Sequence, residues 1–446
     1  MVDVAIVGAG VSGLACALRL SERGLSVRVF EAAAQAGGCV RTIRRGAYIA
    51  DVGPQTFAMS QPLRELVQSL GLAERLIEVD RSDARAYLFH HGQLVAAPGS
   101  PAGLVSSPLL SVSAKLRLGR EPFVPARKAE ADESIAAFVE RRAGRDIVTT
   151  FVDPIVSGIF AGDPATLSVQ SVFPALVAME KSHGSVLRGA AAMLGPSSRR
   201  PKGGAVAGFR GGNDALALGL LSRLSGQVRL DSPVAALDRS GEAYALSVGG
   251  KAPQSVIARR VVLACPAPVS ADLLQPLSPQ VAAELRAIDY PPVVQVALAY
   301  PRAAIGVRMD GFGFLVSRRA GLRILGAVWN SALYDDRVPP AEALVTAVLG
   351  GVTDRQVNDE DDDALARSAH DDLTRAMRIG GALPRVVTVY RWPAAIPQYA
   401  LGHQARLDRI AAGLALLPDV TLCSNYLRGA SVPECIRQAT ALAAGL

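Results

Sequence analysis

Cysteine is scarce in this 446-residue chain and falls into no metal-binding or disulfide pattern. Cys16, Cys39, Cys265, Cys423 and Cys435 form no C-x-x-C pair and are odd in number, which argues against a zinc site and a disulfide framework and fits a reducing cytoplasm. No basic segment precedes the first apolar run, and glycines break that run, so the N-terminus reads as strand and helix, not as a signal peptide. A clean membrane-spanning run is missing too. Residues 94 to 114, "LVAAPGSPAGLVSSPLLSVSA", carry no charge, but Pro98, Pro101, Pro108, Gly99 and Gly103 would break a spanning helix and strand its backbone groups in lipid. That stretch reads as lying on a membrane surface or lining an apolar pocket. Acidic residues vanish from 181 to 210, where Lys181, Arg188, Arg199, Arg200, Lys202 and Arg210 stand alone. No nucleic-acid motif accompanies them, which leaves an anionic surface, an acidic small molecule or a merely solvated face.

What is present begins at residue 4. "VAIVGAGVSGLACALRL" is a strand, a glycine turn and a helix in which Gly8, Gly10 and Gly13 keep the G-x-G-x-x-G spacing. That spacing brings backbone N–H groups of a helix N-terminus, here Val11 and Ser12, against a pyrophosphate. The second strand, "SVRVFE", ends in Glu31, placed to accept hydrogen bonds from a ribose hydroxyl, with Ala32 beside it. "GGCVRT" and "DVGPQTF" follow. Gly38 permits close backbone approach and Arg41 offers a fixed cation; Gly53, Pro54, Gln55 and Thr56 form the next loop.

Residues 94 to about 200 read as interrupted helix, with Asp132 or Glu133 opening "SIAAFVERRAG" and Gly144 closing it. Strand patterns return in "VRLDSPVAALD", "AYALSV", "RRVVLACP", "VVQVALAY", "GFGFLVS", "RILGAVWNS", "EALVTAVLGG" and "RVVTVYRW", with a helix from about 361 to 378. Strand "DVTLCSN" and a final helix end the chain. Ser431 and Glu434 form a capping-box pattern at that helix's N-terminus. A second helix N-terminus aimed at a dinucleotide site suits a flavin, whose reduced ring carries negative charge at its N1/C2=O edge, so FAD is the expected cofactor.

With these pieces in place the chain resembles the oxygen-dependent protoporphyrinogen oxidases, a branch of the amine oxidase and carotenoid desaturase flavoproteins. "VSGIFAGDPATLSV", "FPALVAMEKSHGSV", "GFGFLVS", "RWPAAIPQY" with "GH" just after, and "NYLRGASVPECI" carry the resemblance. It implies an α/β fold: an FAD-binding Rossmann-like domain (1–72, 201–268, 391–446), a mixed-sheet substrate domain (73–93, 269–390) and a helical membrane-binding-type domain (94–200). It implies six-electron oxidation of protoporphyrinogen IX with O2 as acceptor, on the cytoplasmic face of an inner membrane. Coproporphyrinogen III oxidation, an amine oxidase or desaturase reaction, and a non-catalytic flavoprotein remain as alternatives.

The resemblance adds Val234, Ser424, Ala430, Ser431 and Val432 to the cofactor set and places Gly162, Leu315 and Trp329 at the substrate. No His, Cys or Ser dyad is required. A substrate propionate calls for an arginine fork; Arg85 or its neighbour Ala86 falls on the matching position, and Arg85 is the candidate. Cys39, where some members carry tryptophan, and "CSN" at 423 to 425, without the usual glycine, depart from the pattern.

Overall fold

The computed structural model describes residues 1–79, 85–99, 101–127, 131–193 and 206–446. Its first strand, Val2–Val7, pairs in parallel with Val27–Phe30 on one side and with Gln254–Leu263 on the other. Val228–Arg229 extends one edge; Val420–Leu422 and the antiparallel hairpin of Val234–Ser240 and Ala243–Val248 share the other edge of Gln254–Leu263, completing seven strands. Helices cover both faces, as a parallel sheet requires. Val11–Glu22, Ala215–Arg223 and Val432–Gly445 bury Leu14, Leu216, Leu220 and Ile436 on one face; Ala267–Leu274, Pro279–Arg286 and His403–Leu414 bury Leu274, Leu285 and Ile410 on the other. Truncating a fully buried leucine such as Leu14 would cost about 2–5 kcal/mol.

A second seven-stranded sheet runs in the order Arg385–Trp392, Val293–Pro301, Glu342–Gly350, Gly326–Val328, Gly311–Val316, Arg85–His90, Gln93–Ala96. Among the described residues its one parallel pairing joins Gly311–Val316 to Arg85–His90. Helix Asp362–Met377 packs on one face, against Val294, Val296, Phe314 and Val345. The expected strand "RILGAVWNS" shortens to Gly326–Val328, because the backbone N–H groups of Arg323 and Ile324 donate to the Asp372 carboxylate of that helix at 2.6 and 3.0 Å instead of to a neighbouring strand. "DVTLCSN" likewise shortens to Val420–Leu422.

The described part of residues 101 to 193 is a series of helices joined by loops, and no helix among the described residues is long and apolar enough to cross a membrane. The helix expected to open at Asp132 or Glu133 is Ile135–Ala143, capped by Ser134, whose hydroxyl accepts from Ala137 N at 3.1 Å. Asp132 instead accepts from Ser168 Oγ and Gly402 N, tying two loops together. Buried Arg142 pairs with buried Glu121 and, at 2.9 Å, with Glu180. Glu121 also accepts from the N–H groups of Val186 and Leu187, so one carboxylate caps helix Val186–Met193 and neutralises an arginine. Burial opposes its charge, yet Ser185 and Arg142 hold its carboxyl below the ordinary range. Arg199, Arg200 and Lys202 of the acid-free stretch lie outside the described residues.

Candidate active site

The glycine turn closes as its spacing demands. Gly8 has φ +104° and Gly13 packs so closely that a Cβ would stand 2.0 Å from the Gly8 carbonyl oxygen. A Cβ on Gly10 would meet nothing nearer than the Gly38 Cα at 4.0 Å, so the space over this turn is open. No side chain caps helix Val11–Glu22 at Gly10, leaving its first N–H groups, at Val11 and Ser12, facing that space. The Glu31 carboxylate accepts from Ala9 N at 2.7 Å and from Ala33 N at 2.9 Å. Each oxygen keeps a lone pair for a ribose hydroxyl. Exposed Ala32 lies beside it, and the turn leading to Val234 is bound there through Ser232 N to Glu31 O at 2.8 Å.

The C-terminal helix reaches the same place. Cys435, in its first turn, hydrogen-bonds Ser12, and burial pushes its thiol up to about 12. Cys423 Sγ lies 4.0 Å from the Ser12 carbonyl oxygen, which brings Ser424 alongside. Two helix N-termini therefore meet, one at Val11 and Ser12, the other at Ala430, Ser431 and Val432. The expected capping box is half formed: Ser431 Oγ accepts from Glu434 N at 3.4 Å, but the Glu434 carboxylate turns away to pair with Arg437.

The loop of Gly53, Pro54, Gln55 and Thr56 completes the cradle, and its placement rests on an ion pair that sequence reasoning missed. Asp51 and Arg337 are both fully buried and 3.0 Å apart. Asp51 also accepts from Thr42 Oγ1 at 2.6 Å and Asn213 N at 2.8 Å, while Asn213 Nδ2 donates to the carbonyls of Pro54 and Gln55. A Cβ on Gly53 would sit 1.7 Å from the Cys39 carbonyl oxygen, so only glycine allows the two loops to touch. Arg41 donates to Tyr390 Oη at 2.8 Å and Trp392 Nε1 to Val52 O at 2.5 Å, fastening the cradle to the second sheet. Gln55 continues the link, giving its amide N–H to Gln295 Oε1 and taking one from Asn330, whose oxygen accepts from Thr346. Gln295 and Thr346 announced themselves only as polar interruptions in the apolar runs "VVQVALAY" and "EALVTAVLGG". An open glycine cradle, two facing helix N-termini and a poised carboxylate fit FAD.

Strand alternation decides which substrate-side residues share the sheet face that carries Gln295 and Thr346 towards the cofactor loop. Leu315 points away from Phe314 and Val316, towards Gly158 of helix Asp153–Phe160, where a Cβ would meet its side chain at 2.5 Å. Gly162 lies just beyond that helix. Two expected substrate contacts fall elsewhere. Trp329 is buried on the opposite face, 5.3 Å from the Tyr87 ring and 6.4 Å from that of Phe314. Arg85 shares its side of the strand with Tyr87 and Phe89, so it is exposed near Tyr87 and Asp310 on that same far face, and Ala86 lies on the other side of the strand.

A family model described as flavin containing amine oxidoreductase matches residues 11–446. The chain belongs to that family. Like the family, it is an FAD-dependent oxidoreductase. This flavoprotein is 32% identical to protoporphyrinogen oxidase 1, chloroplastic, of Spinacia oleracea, over 98% of this chain and 83% of that one. It is 28% identical to coproporphyrinogen III oxidase of Bacillus subtilis (strain 168), over 98% and 96%. Its fold matches a crystal structure from Exiguobacterium sp. 255-15 with TM-score 0.83 at 24% identity, covering 99% of this chain and 98% of that one.

Proposed function

We propose that the protein oxidises a porphyrinogen, protoporphyrinogen IX in preference to coproporphyrinogen III, with O2 as terminal acceptor. What carries the reading is that relatives named for these two reactions match 98% of the chain, so the likeness includes the second sheet and the helical segment that wall the cleft as well as the cofactor cradle. Bound FAD would supply hydride acceptance at N5 and reoxidation by O2 to hydrogen peroxide. The chain's own work is to hold Gly8–Gly13, Glu31, Arg41 and the Gly53–Thr56 loop around the cofactor, to orient a bridging methylene, and to exclude water. Leu315, Val348, Ala161 and Leu325 gather as apolar side chains on the cofactor side of the second sheet, a surface that suits a flat macrocycle.

The choice of substrate follows from charge. Coproporphyrinogen brings four carboxylates, protoporphyrinogen two. Two of the three arginines beside Leu325 are already engaged: Arg318 with Asp153 at 2.6 Å and Asp163 at 3.0 Å, Arg323 with Asp354 at 2.9 Å and with Glu360. The experiment is direct. Protein as purified is mixed with each porphyrinogen in air, and porphyrin fluorescence and peroxide are followed. Faster turnover of coproporphyrinogen would reverse the substrate order, and no turnover of either would end the reading.

A peripheral membrane seat on the cytoplasmic face of an inner membrane belongs to the same proposal. Val112 and Leu116 lie one turn apart and are 74% and 66% exposed, and Phe123 is 79% exposed with Arg188 over its ring. Lys115 and Arg120 flank them. Apolar tips among cations suit an anionic bilayer surface.

A further inference from the structure

The turn that joins strands Gly311–Val316 and Gly326–Val328 is held from several sides. Asp153 accepts from the Ser317 hydroxyl at 2.9 Å, the Arg318 backbone N–H at 3.0 Å and Arg318 Nε at 2.6 Å. Asp354 accepts from Arg323 Nε at 2.9 Å, and the Gly321 carbonyl accepts from Arg375 at 2.9 Å. Arg319 stands within this turn, its backbone N–H on Ser317 Oγ at 3.4 Å, and Ala320 N closes the turn on Ser317 O at 2.8 Å. The backbone beneath Arg319 is therefore fixed, yet among the described residues no carboxylate or carbonyl holds its guanidinium. With Arg318 and Arg323 it lines a cavity of about 600 Å³. The apolar part of that lining is Val316, Leu322, Ile324 and Leu325, all buried; Asp153, Thr353 and Asp354 supply the rest. Both oxygens of Asp153 are already spent on Ser317 and Arg318, so the charge of Arg319 is left open to a ligand.

We propose that this cavity binds a carboxylate carried on an apolar body, with the Arg319 guanidinium as its partner. The free fork offers parallel N–H donors that match the two oxygens of a carboxylate. Asp153 and Asp354 in the same lining repel a dianion such as phosphate, so a single negative charge fits. Four buried apolar side chains select an apolar body behind that charge and not a small hydrophilic anion. Because the turn is braced before any ligand arrives, binding has little more than one arginine side chain to order. Two sources supply this chemistry: a propionate of the porphyrinogen itself, or a separate amphiphile such as a fatty acid. Position favours the propionate. Leu325 belongs both to this lining and to the apolar surface shared with Ala161 and Val348, and Val316 is the neighbour of Leu315. Arg85, on the far face of the sheet, leaves the propionate in need of a cation. The site itself is independent of the porphyrinogen reading; the propionate as its occupant rests on that reading and deepens it.

The test uses the FAD-loaded full-length protein, native and Arg319→Gln, a substitution at an exposed side chain that holds no other group in place. Decanoate and 1-decanol, titrated by calorimetry, are the probes of the cavity. Decanoate is expected to bind about tenfold more weakly to Arg319→Gln, the scale of one charge-assisted hydrogen bond, and decanol to bind both proteins alike. Arg319→Lys, which keeps the charge without the fork, should recover part of the loss. Turnover of protoporphyrinogen IX and of its dimethyl ester, whose carboxylates are masked, distinguishes the sources. If the propionate is the occupant, native protein prefers the free acid in kcat/KM, Arg319→Gln lowers that preference about tenfold with the flavin spectrum unchanged, and decanoate competes with substrate. If a separate amphiphile is the occupant, the preference is the same in both proteins and decanoate does not compete, while its binding still depends on Arg319. Decanoate binding and acid preference that are both unaltered in Arg319→Gln overturn the proposal. Native protein that turns over neither porphyrinogen fails the porphyrinogen reading, and the decanoate titration then decides the site alone.

Discussion

Replacing Arg337 by methionine breaks the buried ion pair that holds the cofactor loop, together with the arginine's second pair to Asp336 at 2.7 Å. In the native protein Asp51 Oδ2 has Arg337 at 3.0 Å, and Oδ1 has Thr42 and Asn213 at 2.6 and 2.8 Å. Removing the guanidinium strands a carboxylate with no access to water, a change that ordinarily costs about 3–5 kcal/mol. The two donors on Oδ1 survive, so the loss should fall near the lower end, about 3 kcal/mol. Burial pushes the Asp51 carboxyl above the ordinary range and Arg337 pulls it back, so the variant's carboxyl must rise further. A folded state that binds the proton more tightly than the unfolded chain loses stability as pH rises. The deficit relative to native protein is therefore expected to be largest near pH 8 and to shrink towards pH 5, as Asp51 becomes protonated in the fold. Urea unfolding of the FAD-free protein at both pH values measures it, and Asp51→Asn in the same background should restore part of it. FAD affinity should fall alongside, because Asn213 and the Gly53–Thr56 loop lose their anchor. A deficit below about 1 kcal/mol, or one equal at both pH values, would refute the reasoning.

Glu31→Ala should weaken FAD binding by about 1.5–3 kcal/mol, read by flavin fluorescence titration, since it removes a charge-assisted acceptor and loosens the turn at Ala9; unchanged affinity would place the ribose elsewhere. Leu116→Glu with Phe123→Glu should release the protein from anionic vesicles in co-sedimentation without loss of bound flavin, and added salt should weaken the native attachment. Arg85→Ala is expected to leave KM for protoporphyrinogen IX within about threefold, the scale of an exposed ion pair, because its side chain stands on the far face of the sheet; a tenfold rise would return Arg85 to the substrate. Glu121 and Glu180, whose carboxyls sit below the ordinary range, contribute stability that is complete above the unfolded carboxylate range and is lost as pH falls through their folded values, so acid should melt the helical segment, followed by far-ultraviolet circular dichroism.

The parts of the fold that were readable in the sequence are those where local geometry leaves little choice. A strand ending in Gly8 and Gly10 must turn into a helix, and a strand ending in Glu31 brings its carboxylate to the same edge because parallel neighbours finish together. The joining of distant segments was invisible for the opposite reason: Asp51 looks like any strand-end acid and Arg337 like any loop cation until the fold brings them into contact and a third segment, at Asn213, donates to the other Asp51 oxygen. The substrate side shows a subtler limit. Likeness to a family supplied Arg85 and Trp329 as types of residue, but which face each occupies depends on a single step of strand register, and Phe89 in the far core settles it for Arg85. Gln398 escaped notice because nothing in "AIPQY" says that its amide N–H groups will be consumed by Phe160 and Ile396. Once they are, the oxygen has only one direction left, towards Gly162, so the tight packing of that turn is set by hydrogen bonds made on the other side of the same side chain.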